Sequence, residues 1–170
     1  MVRSRYAPSM PRLILLRHAK SAWSTDASSD HERPLNTRGQ QDAPVMGQRL
    51  RDLDWIPDVV FSSTATRTRQ TWAGLGAVLA PEAPVSFLPA LYLSGPRVAL
   101  PLLAEQTAPT VMLIGHNPGF EALASLLSDT NITLTTCNAV LLTSASEGWE
   151  AAMRGPWTLA DLLRPREPRS

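Results

Sequence analysis

A three-layer α/β sandwich, with a mostly parallel central sheet and helices on both faces, is the fold this chain predicts. Three observations predict it. Short apolar runs stand within residues 13–16, 58–62 and 110–115, and such runs between breaking residues read as strands buried on both faces. Stretches with helical apolar spacing separate them. The resulting strand–helix alternation implies parallel strands joined by crossovers. At 170 residues one domain is the simplest division. We expect a flexible leader over 1–11, the domain over 12–163 and a flexible tail over 164–170, with Met10 as a second candidate start.

The elements follow in order. After the first strand, residues 22–33 are polar and rich in Ser and Asp, which suits a loop over a site. Asn36 is the expected N-cap of the first helix. Val45, Met46, Leu50 and Leu53 recur there at helical spacing, and Pro44 must either kink that helix or mark its first turn. A second helix is expected over 66–79, stopped by Pro81. Residues 84–88 read as a short edge strand. A helix over 96–105 turns Val98, Leu102 and Leu103 inward, with Pro101 as a flaw. A further helix spans 120–127. Residues 139–143 and 149–153 are expected to close the fold as a hairpin about Ser146-Glu-Gly148.

Composition narrows the function. The net charge of +1 implies no strong field for nucleic acid, which leaves room only for a local basic patch. No apolar run approaches the ~20 residues that span a bilayer, and residues 1–12 lack the apolar core of a signal peptide. Cys137 is the single cysteine, so no internal disulfide forms. That fits a reducing compartment, and a cytoplasmic location is expected. Cys137 has no metal-ligand spacing about it and reads as a structural thiol.

Three strand ends carry chemistry. Leu13-Ile-Leu-Leu-Arg-His-Ala-Lys-Ser21 delivers Arg17 and His18 together. Neutral histidine is a nucleophile near neutral pH, and the arginine fork suits phosphate oxygens. Alone, the dipeptide reads better as a solvated strand cap. Ile114-Gly-His-Asn-Pro-Gly119 ends a second strand at His116, where Gly115 would let the backbone approach a ligand and Pro118 would open a helix with free N–H groups. Ser62-Ser63 ends a third strand and leads to Arg67. In a parallel sheet these ends lie on one edge, where Arg17, His18, Arg67 and His116 would clamp a phosphoryl group.

These residues resemble the histidine phosphatase superfamily. Arg-His-Ala-Lys-Ser-Ala-Trp23, Arg33-Pro-Leu35 with Gly39, and Gly-His-Asn-Pro-Gly119 look like its SixA-like branch of phosphohistidine phosphatases, over residues 13–153. The resemblance implies His18 as the phosphorylated nucleophile. It implies Arg17 and Arg67 as phosphate-binding arginines, and His116 as the second histidine that stabilises the transition state. It places Ser21, Ser63, Asn117 and Lys20 around the substrate, with Ser63 supporting Arg67 and the Asn117 N–H as an extra donor. No cofactor or metal is implied. The implied activity is metal-independent phosphate removal from phosphohistidine on a protein, such as a histidine phosphotransfer domain. A small phosphomonoesterase acting on a metabolite, or a low-turnover phosphoprotein-binding module, are the alternatives.

The chain departs from the family pattern at Ala19, where Gly is common, at Lys20, often acidic, and at Ser24, often Asn. Larger relatives carry a glutamate that protonates an alkoxide leaving group; Pro89-Ala-Leu-Tyr-Leu-Ser-Gly95 offers no carboxylate. This favours phosphohistidine, although Asp26, Asp30 or Glu32 could serve from the loop. Trp23 is expected to pack under the loop, His31 to be exposed, Arg69 to be a surface charge and Tyr92 to pack in the core or at the rim.

Overall fold

The computed structural model describes residues 9–23 and 26–166. Residues 1–8, Ser24, Thr25 and residues 167–170, on which parts of the expected leader and tail fall, lie outside it. The described chain runs β1 (Arg12–Arg17), α1 (Thr37–Asp52), β2 (Val59–Ser63), α2 (Thr66–Leu79), β3 (Val85–Leu88), α3 (Pro96–Ala104), β4 (Thr110–Gly115), α4 (Gly119–Ser128), β5 (Ala139–Ser144), α5 (Trp149–Ala152) and β6 (Trp157–Leu163). A short 3-10 turn over Pro89–Leu91 follows β3.

The strands form one sheet in the order β3-β2-β4-β1-β5-β6. The β2, β3, β4 and β1 pairings are parallel, and β5 runs antiparallel to both β1 and β6. Alternation along each strand divides the core into two faces. Ile14, Leu16, Met112 and Ile114 pack with Met46 and Leu50 of α1 and Leu75 and Leu79 of α2. Leu13, Leu15, Val111 and Leu113 pack with Leu103 of α3, Phe120 and Leu123 of α4 and Trp149 of α5. The predicted three-layer sandwich is therefore the observed one. No described helix is long and apolar enough to cross a membrane.

One local expectation holds for its stated reason, and two are refined. The Asn36 side chain accepts from the Gly39 N–H and caps α1. Pro44 stands inside α1, eight positions into the helix, so it does not mark the first turn. In α3, Leu103 is buried with Ala99, while Val98 and Leu102 are only half-buried.

Two expectations are corrected. Residues 149–153 do not pair with β5. They form the short helix α5, whose Trp149 indole N–H donates to the Ala108 carbonyl at 2.7 Å. The true partner of β5 is β6, and a register shift at Leu141/Leu142 breaks its alternation. Gly115 does not make room for a ligand. A Cβ there would lie 2.4 Å from the Phe120 ring, so the glycine lets β4 pack on α4. At the chain's end, Arg49 donates to the Arg164 carbonyl, and Arg166 Nε pairs with the buried Asp42 carboxylate at 2.9 Å. Residues 164–166, expected as the start of the tail, thus lie along α1.

Candidate active site

The C-terminal ends of β2, β4 and β1 are neighbours in the sheet, so the three expected strand ends share one edge. A cavity of about 330 Å³ opens there, lined by Arg17, His18, Lys20, Ser21, Arg67, His116 and Asn117 among others. Of the eight residues expected from sequence, only Ser63 does not line it. Ser63 stands behind His116, fully buried.

His18 follows β1 directly, and the Cys137 N–H fixes the backbone there by donating to the Arg17 and His18 carbonyls at 3.1 and 3.0 Å. Its Nδ1 lies 2.7 Å from the Ala19 carbonyl. A carbonyl can only accept, so Nδ1 carries the ring proton and Nε2 is the nitrogen with a free lone pair. Burial pushes the His18 pKa down to about 4, reinforced by Arg67, Arg17 and Arg33. The ring therefore stays neutral at pH 7. The Ala19 N–H donates to Thr71 Oγ1, which ties this segment to α2.

His116 is 1% exposed and its ring centroid is 5.3 Å from that of His18. Its Nε2 lies 2.8 Å from Ser63 Oγ, which also accepts from the Ala65 N–H. Its Nδ1 is buried without a partner. Burial, then His18 and Arg67, push its pKa down to about 3.

Arg67 stands in the first turn of α2 and is 3% exposed. Both of its terminal nitrogens are held by Asp30, Nη1 by the backbone carbonyl at 2.7 Å and Nη2 by Oδ2 at 3.0 Å. Arg17 donates from Nη1 to the Leu134 carbonyl at 2.9 Å, and its buried Nε has no partner. Burial lowers its pKa. Asn117 donates to the same Leu134 carbonyl. In the first turn of α4, Glu121 accepts from the Leu134 N–H and from Asn117 Nδ2, and the Phe120 N–H donates to the His116 carbonyl.

Sequence reasoning missed a third arginine. Arg33 lines the cavity and donates to Ser21 Oγ at 2.6 Å, to the Ala22 carbonyl at 3.0 Å and to Asp30 Oδ1 at 2.7 Å. Its signal was the Arg33-Pro-Leu35 motif, and the isolated bridge Ser21↔Leu35 is what folds it inward. Trp23 is 78% exposed at the mouth with Arg33 stacked 3.9 Å from its ring, contrary to the packed position expected. His31 is half-buried, with Nε2 2.8 Å from Thr64 Oγ1. Tyr92 does more than pack, because its hydroxyl donates to Asp30 Oδ2 at 2.6 Å. Cys137 is fully buried, and burial pushes its thiol up to about 12, as suits a structural residue. Among the described residues no three His, Cys, Asp or Glu side chains cluster as a metal site would require.

The sequence and the fold have counterparts among known proteins. The model of the histidine phosphatase superfamily, branch 1, matches residues 13–92. An Agrobacterium tumefaciens protein assigned as the phosphohistidine phosphatase SixA superposes with a TM-score of 0.79 at 30% identity, covering 92% of this chain and 100% of that one. The protein histidine phosphatase SixA complexed with tungstate shares the fold at 24% identity and a TM-score of 0.74, covering 91% of this chain and 97% of that one. An uncharacterised chloroplastic protein of Arabidopsis thaliana is 40% identical over 91% of this chain and 78% of its own. The chain belongs to the histidine phosphatase superfamily. Within it, the chain is SixA-like, and its class of activity is phosphatase.

Proposed function

We propose that this chain removes phosphate from phosphohistidine on a protein, through an intermediate phosphorylated on His18. The observation that carries the reading is the His18 ring, held neutral with its proton on Nδ1 beside three arginines. Nε2 attacks phosphorus in line. The equatorial oxygens take up negative charge, which Arg17 and Arg67 stabilise. His116 completes the cradle. Ser63 Oγ already accepts from the Ala65 N–H, so its proton is assigned to His116 Nε2, and the ring proton on Nδ1 finds its missing acceptor in a phosphoryl oxygen. Ser21, Lys20 and the Asn117 N–H border the same space and add polar contacts to the phosphoryl group.

The bookkeeping favours a phosphoramidate. Phosphohistidine reacts with its distal ring nitrogen protonated. The P–N bond breaks, its electron pair returns to the leaving ring, and neutral imidazole departs without proton transfer. A water oxygen then bonds phosphorus, the P–Nε2 pair returns to His18, and both water protons leave on phosphate. A phosphorylated phosphotransfer-type domain is the partner proposed, and the cavity's open mouth suits it.

The test is phosphate release from a histidine-phosphorylated phosphotransfer domain and from an aryl phosphate ester, by wild type and His18→Ala. Faster release from phosphohistidine, abolished by His18→Ala, supports the proposal. Preference for the ester moves the substrate to small metabolites, and activity that survives His18→Ala overturns the mechanism.

A further inference from the structure

Asp30, one of the three loop carboxylates that could have supplied a general acid, lines the cavity. Its side chain accepts three hydrogen bonds, from Arg33 on Oδ1 at 2.7 Å and from Arg67 and Tyr92 on Oδ2 at 3.0 and 2.6 Å. The side chain is 48% exposed, whereas His18, His116 and Arg67 are all buried. The nucleophile is thus on the cavity floor and Asp30 is at its mouth. In-line displacement puts the leaving group opposite the nucleophile, and so at that mouth.

We propose that the Asp30 carboxylate binds the protonated distal nitrogen of a phosphorylated imidazole and thereby selects phosphoramidates over phosphate esters. The inference rests on the phosphohistidine reading above and assigns its specificity to one residue. Three donors keep the carboxylate ionised, with the Tyr92 hydroxyl foremost in lowering its pKa, followed by Arg33 and Arg67. An ionised carboxylate cannot protonate a departing alkoxide, so Asp30 is not the missing general acid. It instead repels an oxyanion leaving group and attracts an N–H.

The step balances. The substrate ring enters with a proton on its distal nitrogen, hydrogen-bonded to Asp30. The Nε2–P bond of His18 forms as the P–N bond breaks. The ring leaves neutral, still carrying that proton. The exposed faces of Trp23 and Leu93, both lining the mouth, offer an apolar surface to a flat ring.

The test compares N-phosphoimidazole with p-nitrophenyl phosphate, two small substrates with flat leaving groups, the first departing as a neutral N–H ring and the second as an oxyanion. Asp30→Asn keeps the backbone carbonyl that holds Arg67 Nη1. It is expected to lower kcat/KM for phosphoimidazole about 10-fold to 100-fold, the loss of one charge-assisted hydrogen bond. The ester rate should rise, because the repulsion is gone. Asp30→Glu restores the charge and should restore part of the preference, which separates recognition from a misfolded loop. An equal fall on both substrates would mean that Asp30 only positions Arg67, and overturns the proposal. A wild type inactive on phosphoimidazole but active on a phosphorylated phosphotransfer domain overturns this inference alone. A wild type inactive on both phosphoramidates sinks the functional reading with it.

Discussion

Ser63 Oγ and His116 Nε2 stand 2.8 Å apart across the ends of the adjacent parallel strands β2 and β4. The same hydroxyl accepts from the Ala65 N–H as the chain enters α2, so one buried oxygen couples the helix that carries Arg67 to the ring of His116. Ser63 therefore acts on the cavity through His116 and has no need to line it.

Removing that hydroxyl should loosen the ring and its tautomer together. Ser63→Ala is expected to lower kcat about 10²-fold, the scale on which small misplacements cost rate. It should also destabilise the fold by about 1–3 kcal/mol, because Nε2 and the Ala65 N–H lose a buried partner. Steady-state kinetics and urea unfolding of the same sample check both. An unchanged kcat would show that the ring is oriented by packing alone.

Arg67 presents a different demand, because Asp30 takes both terminal nitrogens at once. A planar fork can hold those two acceptors and still direct its remaining N–H groups at a phosphoryl oxygen, which a lysine ammonium cannot. Arg67→Ala is expected to reduce kcat about 10²–10³-fold, the usual effect of losing one donor to developing charge. Arg67→Lys should recover little of it. Vanadate binding to the two variants checks the assignment, since both should bind this phosphate mimic more weakly than wild type.

Much of this was legible in the sequence for a physical reason. Buried parallel strands must be apolar throughout, so β1, β2 and β4 announced themselves, and their ends placed Arg17, His18, Arg67 and His116. What was not legible depends on contacts remote in the chain. The pairing of β6 with β5 hides behind a register shift, and Glu-Ala-Ala in α5 passes as a strand until Trp149 docks on Ala108. Gly115 showed that small size was needed but not whether a ligand or Phe120 needed it. Arg33 and Asp30 sit in a polar loop with no periodicity to read, and only the fold-back at Ser21↔Leu35 brings them to the cavity.

The nucleophile's protonation is directly measurable. With its pKa pushed down to about 4 by burial and nearby arginines, His18 should remain neutral from pH 8 to about 5. Histidine ring resonances followed by NMR against pH check this, with His18→Gln giving the assignment. The reactive form is then fully populated across that range, and the enzyme's own acid limb falls near pH 4. A midpoint near 6.5 would mean that the ring is solvated and that the acid limb begins near neutrality.

The same shifts fix how stability responds to acid. His18 and His116 have folded pKa values of about 4 and about 3, both below the 6.5 of an unfolded histidine. Between pH 6.5 and 4 the unfolded chain therefore binds protons that the folded chain refuses. Stability rises with pH wherever the unfolded state holds more protons, so it is complete above 6.5 and is lost as pH falls through this window. With two rings the slope approaches about 2.7 kcal/mol per pH unit, twice the value for one proton. Asp30 enters only lower. Its folded pKa is depressed, so its contribution is present above the unfolded 3.8 and is lost below it. Urea midpoints measured from pH 7.5 to 4.5 should thus fall steeply below 6.5, and His18→Gln combined with His116→Gln should flatten the fall. A midpoint that stays level to pH 4.5 in the wild type would require both rings to accept protons inside the fold, and would remove the basis for a neutral nucleophile in the cavity.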